Sequence, residues 1–322
     1  MKTIIRFLKD WTLPVAMVVG TLGYLFFANI PAFDSFGAWA GPFCDKILPL
    51  FMFSILFVTF CKVDFHRMRP VKWHFWAGAT QIALITATMA FILSYRPLGH
   101  TLVFLEAILV CIVAPCAAAA PVITQKLGGK LEEMTTYTFM SNFVTAIFIP
   151  ICFPLIEKDD EITFWAAFLD ILYQVTLVLV VPMLLAYLVK HLLPRIHRRI
   201  IGVKDLSYYL WAISLVIVTG TTVRNICHAE TTVFFLVATA LSTLAICLGQ
   251  YAIGRRIGRR FGRFNEVGQA LGQKNTTFAI WIAYTYLTPL SSVGPGCYIL
   301  WQNTVNSIEI YQYKKAGKLQ KS

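Results

Sequence analysis

Ten apolar stretches follow one another along this chain with only short polar breaks between them, at about 11–30, 42–61, 73–94, 101–127, 132–156, 162–189, 206–225, 231–253, 264–287 and 292–312. Each is close to the roughly 20 residues that a helix needs to cross a bilayer. Lipid offers no partner for backbone amides and carbonyls, so such stretches must satisfy them internally, as helices. The expectation is an all-α polytopic membrane protein with ten transmembrane helices. Composition agrees: 57% of residues are hydrophobic and 14% charged, against about 25% charged in soluble domains. The first stretch follows Lys2, Arg6 and Lys9 as a secretory signal would. It is long for one and no A-x-A site follows, so it is read as the first span.

The net charge of +12 raises the question of nucleic acid, which needs basic residues gathered on one surface. Here they lie in short loops between apolar runs, which is the signature of membrane orientation. Placing both termini in the cytoplasm puts nearly all of them on the inner side, in runs such as Arg255, Arg256, Arg259, Arg260 and Arg263. Only Lys46, Arg96, Lys158 and Arg224 fall outside, and Lys274 falls within a span. The reading is a multi-pass protein of a plasma or inner membrane, with the lipid bilayer as partner and no nucleic acid.

The acidic run Glu157 to Glu161 divides the chain into residues 1–156 and 157–312, five spans each, with a short basic tail at 313–322. An odd number of spans per half forces the halves, if they are repeats, into opposite orientations, an architecture common in secondary transporters. Each half also has one damaged span, in fourth place. In the first, Pro115 and Pro121 bracket small residues; in the second, Gly268 to Asn275 interrupt the apolar run. Proline removes an amide donor and glycine loosens the backbone, so both helices are expected to break. Unwound backbone at membrane depth is tolerated only inside protein or beside an aqueous cavity, and paired interruptions at matching places point to a substrate site.

Lys274 sits in the second interruption, among Gly272, Gln273, Asn275, Thr276 and Thr277. Counting from Arg263, it lies roughly 12–16 Å into a core about 30 Å thick. A charge there costs about 2.5–3.5 kcal/mol on insertion scales, so it marks a pathway or a buried pair. Glu106 and Asp170 are the acids available to pair with it. Gln81, Asn142, Gln174, Gln250, Gln302 and Asn306 are expected to make interhelical hydrogen bonds. Trp11, Trp73, Trp76, Trp165 and Trp211 fall near span ends as interface anchors. Gly254, Gly258 and Gly262 read as helix-end and loop punctuation. The eight cysteines are scattered without C-x-x-C spacing, so no metal site or cofactor is expected. No zincin, nucleophile-elbow or P-loop pattern suggests an enzyme.

The surroundings of the two interruptions resemble the bile acid:sodium symporter family. The family's P-G-G-S/T-A-S-N-x-x-S/T stretch corresponds to Pro115 through Thr124, and its E-x-G-x-Q-N/S to Ala270 through Asn275. The resemblance implies two inverted five-span repeats with helices 4 and 9 discontinuous and crossed, and sodium held beside the crossing. Carried over residue by residue, the sodium-site glutamate is Ala270, the glutamine is Lys274, the serine and asparagine of span four are Ala120 and Pro121, and one span-five hydroxyl position is Met134. Gln81, Thr138 and Asn275 are retained. Sodium wants several oxygen ligands, and alanine, proline and methionine side chains supply none.

The expected function is therefore a secondary transporter of an organic anion, sterol-like or a small carboxylate, working without sodium because the Lys274 ammonium takes the ion's place. The substrate and coupling residues are Lys274, Asn275, Gln273, Thr276, Gly272, Gln81, Thr138, Pro115 and Pro121. A proton-coupled antiporter or efflux carrier of related fold, and a membrane ligand sensor that does not transport, are the alternatives.

Overall fold

A computed structural model describes residues 12–317 apart from 31–32, 64–67, 158–162, 204–205 and 229–230. The amino-terminal basic residues with Trp11, most of the acidic loop and the end of the basic tail lie outside the described residues. Most of the rest is helical. In chain order the helices are α1 (Thr12–Asn29), α2 (Asp34–Cys61), α3 (Lys72–Tyr95), α4 (His100–Val113), α5 (Ala120–Lys126), α6 (Leu131–Ile156) and α7 (Phe164–Leu192). They continue as α8 (Pro194–Gly202), α9 (Leu206–Cys227), α10 (Val233–Phe261), α11 (Phe264–Gly272), α12 (Thr276–Tyr286) and α13 (Val293–Lys315).

Six of these are long and apolar enough to cross a membrane: α2, α3, α6, α7, α9 and α10. Of the other apolar stretches, α1 and α4 are apolar but shorter. The fourth and ninth stretches fall short because each is broken in two, and α13 because it carries Gln302, Asn303, Asn306 and Glu309. Large apolar side chains such as Phe75, Phe91, Leu169, Phe234 and Leu241 project from the outside of the bundle, where a lipid-facing surface requires them. Inside, Leu109, Val113, Phe278, Ile282 and Ile299 form a core around the two broken helices.

Local chemistry explains the irregular points. Pro182 has no amide to continue the ladder, and α7 widens into a π-helical turn at Thr176–Val180 just before it. The segment after α7, which the sequence reads as a loop, forms the short basic helix α8. Its His197 Nε2 lies 2.7 Å from the Cys61 carbonyl, tying it to the end of α2.

The glycines among the arginines need correcting. Gly262, at φ +64, does end α10. Gly254 and Gly258 lie inside α10, where α11 doubles back against it. A Cβ at either would come within 2.3 Å of the Val267 or Arg263 carbonyl oxygen. They are contact glycines that let the two backbones touch. Two of the expected interface tryptophans are also interior. Trp73 is buried and donates to Glu133 at 2.9 Å, and Trp211 is buried in the core, whereas Trp76 and Trp165 are exposed.

Candidate functional site

The two interruptions meet. α4 ends at Val113 and α5 begins at Ala120, with Pro121 in its first turn, where a missing amide does no harm. α11 ends at Gly272 and α12 begins at Thr276, capped by the Asn275 side chain, which accepts from the Phe278 amide at 3.2 Å. Between these ends the unwound strands run antiparallel, Cys116 against Lys274. The Ala117 amide donates to the Gln273 carbonyl at 3.0 Å and the Asn275 amide to the Pro115 carbonyl at 2.8 Å. Each break thus satisfies backbone groups of the other at a depth where solvent cannot.

Lys274 is 1% exposed. Its ammonium donates to the Ile112 carbonyl at 3.0 Å and to the Ala114 carbonyl at 3.1 Å. These belong to the last turn of α4, where carbonyls have no helical partner and the helix dipole is negative. The side chain is therefore a cationic cap on the broken end of the other half's helix. Gln302 of α13 holds its backbone from behind, accepting from the Lys274 amide at 2.8 Å and donating to its carbonyl at 3.1 Å and to Thr276 Oγ1 at 3.2 Å.

Gln81 and Thr138 serve the same crossing. The Gln81 amide donates to the Ala114 carbonyl at 3.3 Å, while its oxygen accepts from Tyr137 and Ser141, both at 3.2 Å. Ser141 in turn accepts from the Cys116 amide at 2.9 Å, and Thr145 donates to the Val113 carbonyl at 2.8 Å. The Thr138 hydroxyl donates to Met134 O at 3.0 Å and lies 3.7 Å from Cys116 Sγ. Gly272 leaves room for the Tyr251 ring, which a Cβ would approach to 2.3 Å, and its carbonyl accepts from Tyr298 at 2.8 Å. Gln273 is fully buried with both amide atoms unpartnered.

Neither expected acid reaches the lysine. Asp170 accepts from the Tyr286 hydroxyl at 2.8 Å. Glu106 lies on α4 eight residues before Ala114, about 12 Å along the helix, and faces Glu157 and Thr288 instead. Carbonyl dipoles, not a carboxylate, meet the ammonium. Ser141, Thr145, Tyr298 and Gln302 are the site residues that the family motifs do not reveal. The hydroxyls of Thr138, Ser141 and Thr145 do recur at helical spacing on α6, a stripe legible in the sequence.

Beside Lys274 lies a small cavity, about 20 Å³, lined by Ala117 to Ala119, Asn275 to Thr277, Met52, Ile55 and Trp211. Phe278 is packed in the core, with Trp281 against it. The positions to which the family resemblance assigns sodium do not fit it. Ala270, Ala120, Pro121 and Met134 are buried without a side-chain oxygen, the oxygens of Gln81 and Asn275 already accept hydrogen bonds, and the Thr138 hydroxyl oxygen is the one acceptor left of the retained set. Among the described residues no group of three or more His, Cys, Asp or Glu side chains could hold a metal ion.

The profile of the family described as "Sodium Bile acid symporter family" matches residues 49–229, more than half of the chain. That range takes in the first interruption and stops short of the second. No curated protein matches the chain. The chain belongs to the sodium bile acid symporter family and is a multi-pass membrane transporter of that type.

Proposed function

We propose that this transporter moves an organic anion, sterol-like or a small carboxylate, without sodium, the Lys274 ammonium occupying the place of a bound cation. One observation carries the reading: the ammonium rests on two main-chain carbonyls at the crossing, 3.0 and 3.1 Å away, oxygens of the kind that would otherwise hold an ion. Those two bonds leave one of its three donors for an anion. The start of α12 adds its positive end to the same cavity, through Asn275, Thr276 and Thr277.

A ten-span arrangement in two inverted repeats goes with this reading, and the matched interruptions support it. A cavity of about 20 Å³ holds about one water. Substrate entry therefore requires the helices facing the crossing to separate, as in alternating access. The test is uptake of taurocholate and of a short monocarboxylate into proteoliposomes with all sodium replaced by choline. Uptake in choline that is lost in Lys274→Met supports the reading. A strict sodium requirement overturns it.

A further inference from the structure

Glu106 is fully buried on α4, and neither of its carboxyl oxygens has a hydrogen-bond partner. The groups facing it are Glu157, at the end of α6, and Thr288, ahead of the 3-10 turn Pro289–Ser292. The Thr288 hydroxyl donates to the Glu157 carboxylate at 3.2 Å. Lys274 is spent on the far end of α4, on the Ile112 and Ala114 carbonyls. Glu157 is partly exposed, at the end of the bundle that the loop charges assign to the outside.

Two carboxylates facing each other, one of them fully buried, cannot both stay ionised without a large cost. One proton between them removes a charge and supplies the hydrogen-bond donor that the buried carboxyl lacks. We propose that Glu106 and Glu157, beside Thr288, form a binding site for one exchangeable proton, loaded through Glu157, and that this proton is the coupling ion of transport. Loading transfers a proton from hydronium to a carboxylate oxygen: one O–H bond forms, one breaks, water leaves and nothing is oxidised. The site stands on its own geometry, whereas its use in coupling rests on the transporter reading above. Protonated, the pair carries one negative charge instead of two, so an anion and a proton cross together with no net change.

The experiment is an infrared pH titration of the purified full chain in nanodiscs, following the C=O stretch of protonated carboxyl groups. The band is present near pH 7 and fades as the pH rises, and it is lost in Glu106→Gln. In Glu157→Gln, which removes the opposing charge, it titrates at a pH lower by about one unit or more. Should Glu106→Gln fail to fold, Glu157→Gln alone decides the matter. No band near neutral pH, a band indifferent to both substitutions, or one that sodium chloride abolishes overturns the proposal, the last by making the pair a cation site. For coupling, taurocholate added in choline medium to proteoliposomes holding a pH-sensitive dye acidifies the lumen, and Glu106→Gln takes up taurocholate without acidification. Taurocholate uptake that leaves the lumen pH unchanged in the wild type refutes the coupling role. Absence of taurocholate uptake with the band behaving as stated refutes the sterol-like anion reading and not the proton site.

Discussion

The Lys274 ammonium lies 3.0 Å from the carbonyl oxygen of Ile112, so a side chain from the second half of the chain closes the broken end of a helix from the first. The usual options for a buried lysine are an acid partner or a route to the surface. Here the partners are orphan carbonyls of a helix end, with the Gln81 amide sharing Ala114. Cation and helix terminus solve each other's desolvation.

Removing that cap should be felt as instability. Lys274→Met leaves the Ile112 carbonyl without a donor and the Ala114 carbonyl with Gln81 alone, at about 1–3 kcal/mol for an unsatisfied buried group. The expected result is a melting temperature in detergent lower by roughly 2–6 °C. An unchanged or raised melting temperature would mean that the ammonium does not cap α4.

The Gln302 clamp separates into two halves. Gln302→Leu loses the bonds to both the amide and the carbonyl of Lys274, whereas Gln302→Glu keeps an acceptor for the amide and loses the donor. Leucine should therefore cost about 1–3 kcal/mol in thermal unfolding followed by tryptophan fluorescence, and glutamate at least as much at neutral pH, because its carboxylate would be buried against the Lys274 carbonyl. An unchanged melting temperature in Gln302→Leu would place the stabilisation in packing.

Two glycines should respond differently to alanine. At Gly272 the obstruction is the Tyr251 ring, so Gly272→Ala is destabilising by about 1–3 kcal/mol and partly rescued by Tyr251→Leu. At Gly254 the obstruction is backbone, the Val267 carbonyl, and no side-chain change on α11 relieves Gly254→Ala. Melting temperatures of the single and double variants measure both.

Cys227, at the end of α9, is the exposed cysteine among the described residues. With both termini in the cytoplasm it faces outward. A membrane-impermeant maleimide should label intact cells, and Cys227→Ser should remove most of that labelling. Labelling confined to permeabilised cells would invert the assigned orientation.

Sequence alone determined where the apolar helices of this chain lie and where two of them break. Period and length place the helices, because the bilayer allows little else. The bounds of α3 and α6 differ from the apolar runs by a residue or so. Pro115, Pro121 and the Gly268–Asn275 interruption foretell both breaks for the same reason: a missing amide or a loosened backbone is a local fact.

Only the tertiary structure decided what each polar group meets. Glu106 and Asp170 were credible partners for Lys274 by charge, yet distance along α4 and the Tyr286 hydroxyl assign them elsewhere. Gly254 and Gly258 look like punctuation until α11 folds back onto α10. Pairing across the crossing joins residues about 160 positions apart, Lys274 with Ile112 and Ala114. No periodicity encodes such a contact; it follows from how two broken helices share the burial of their unpaired backbone.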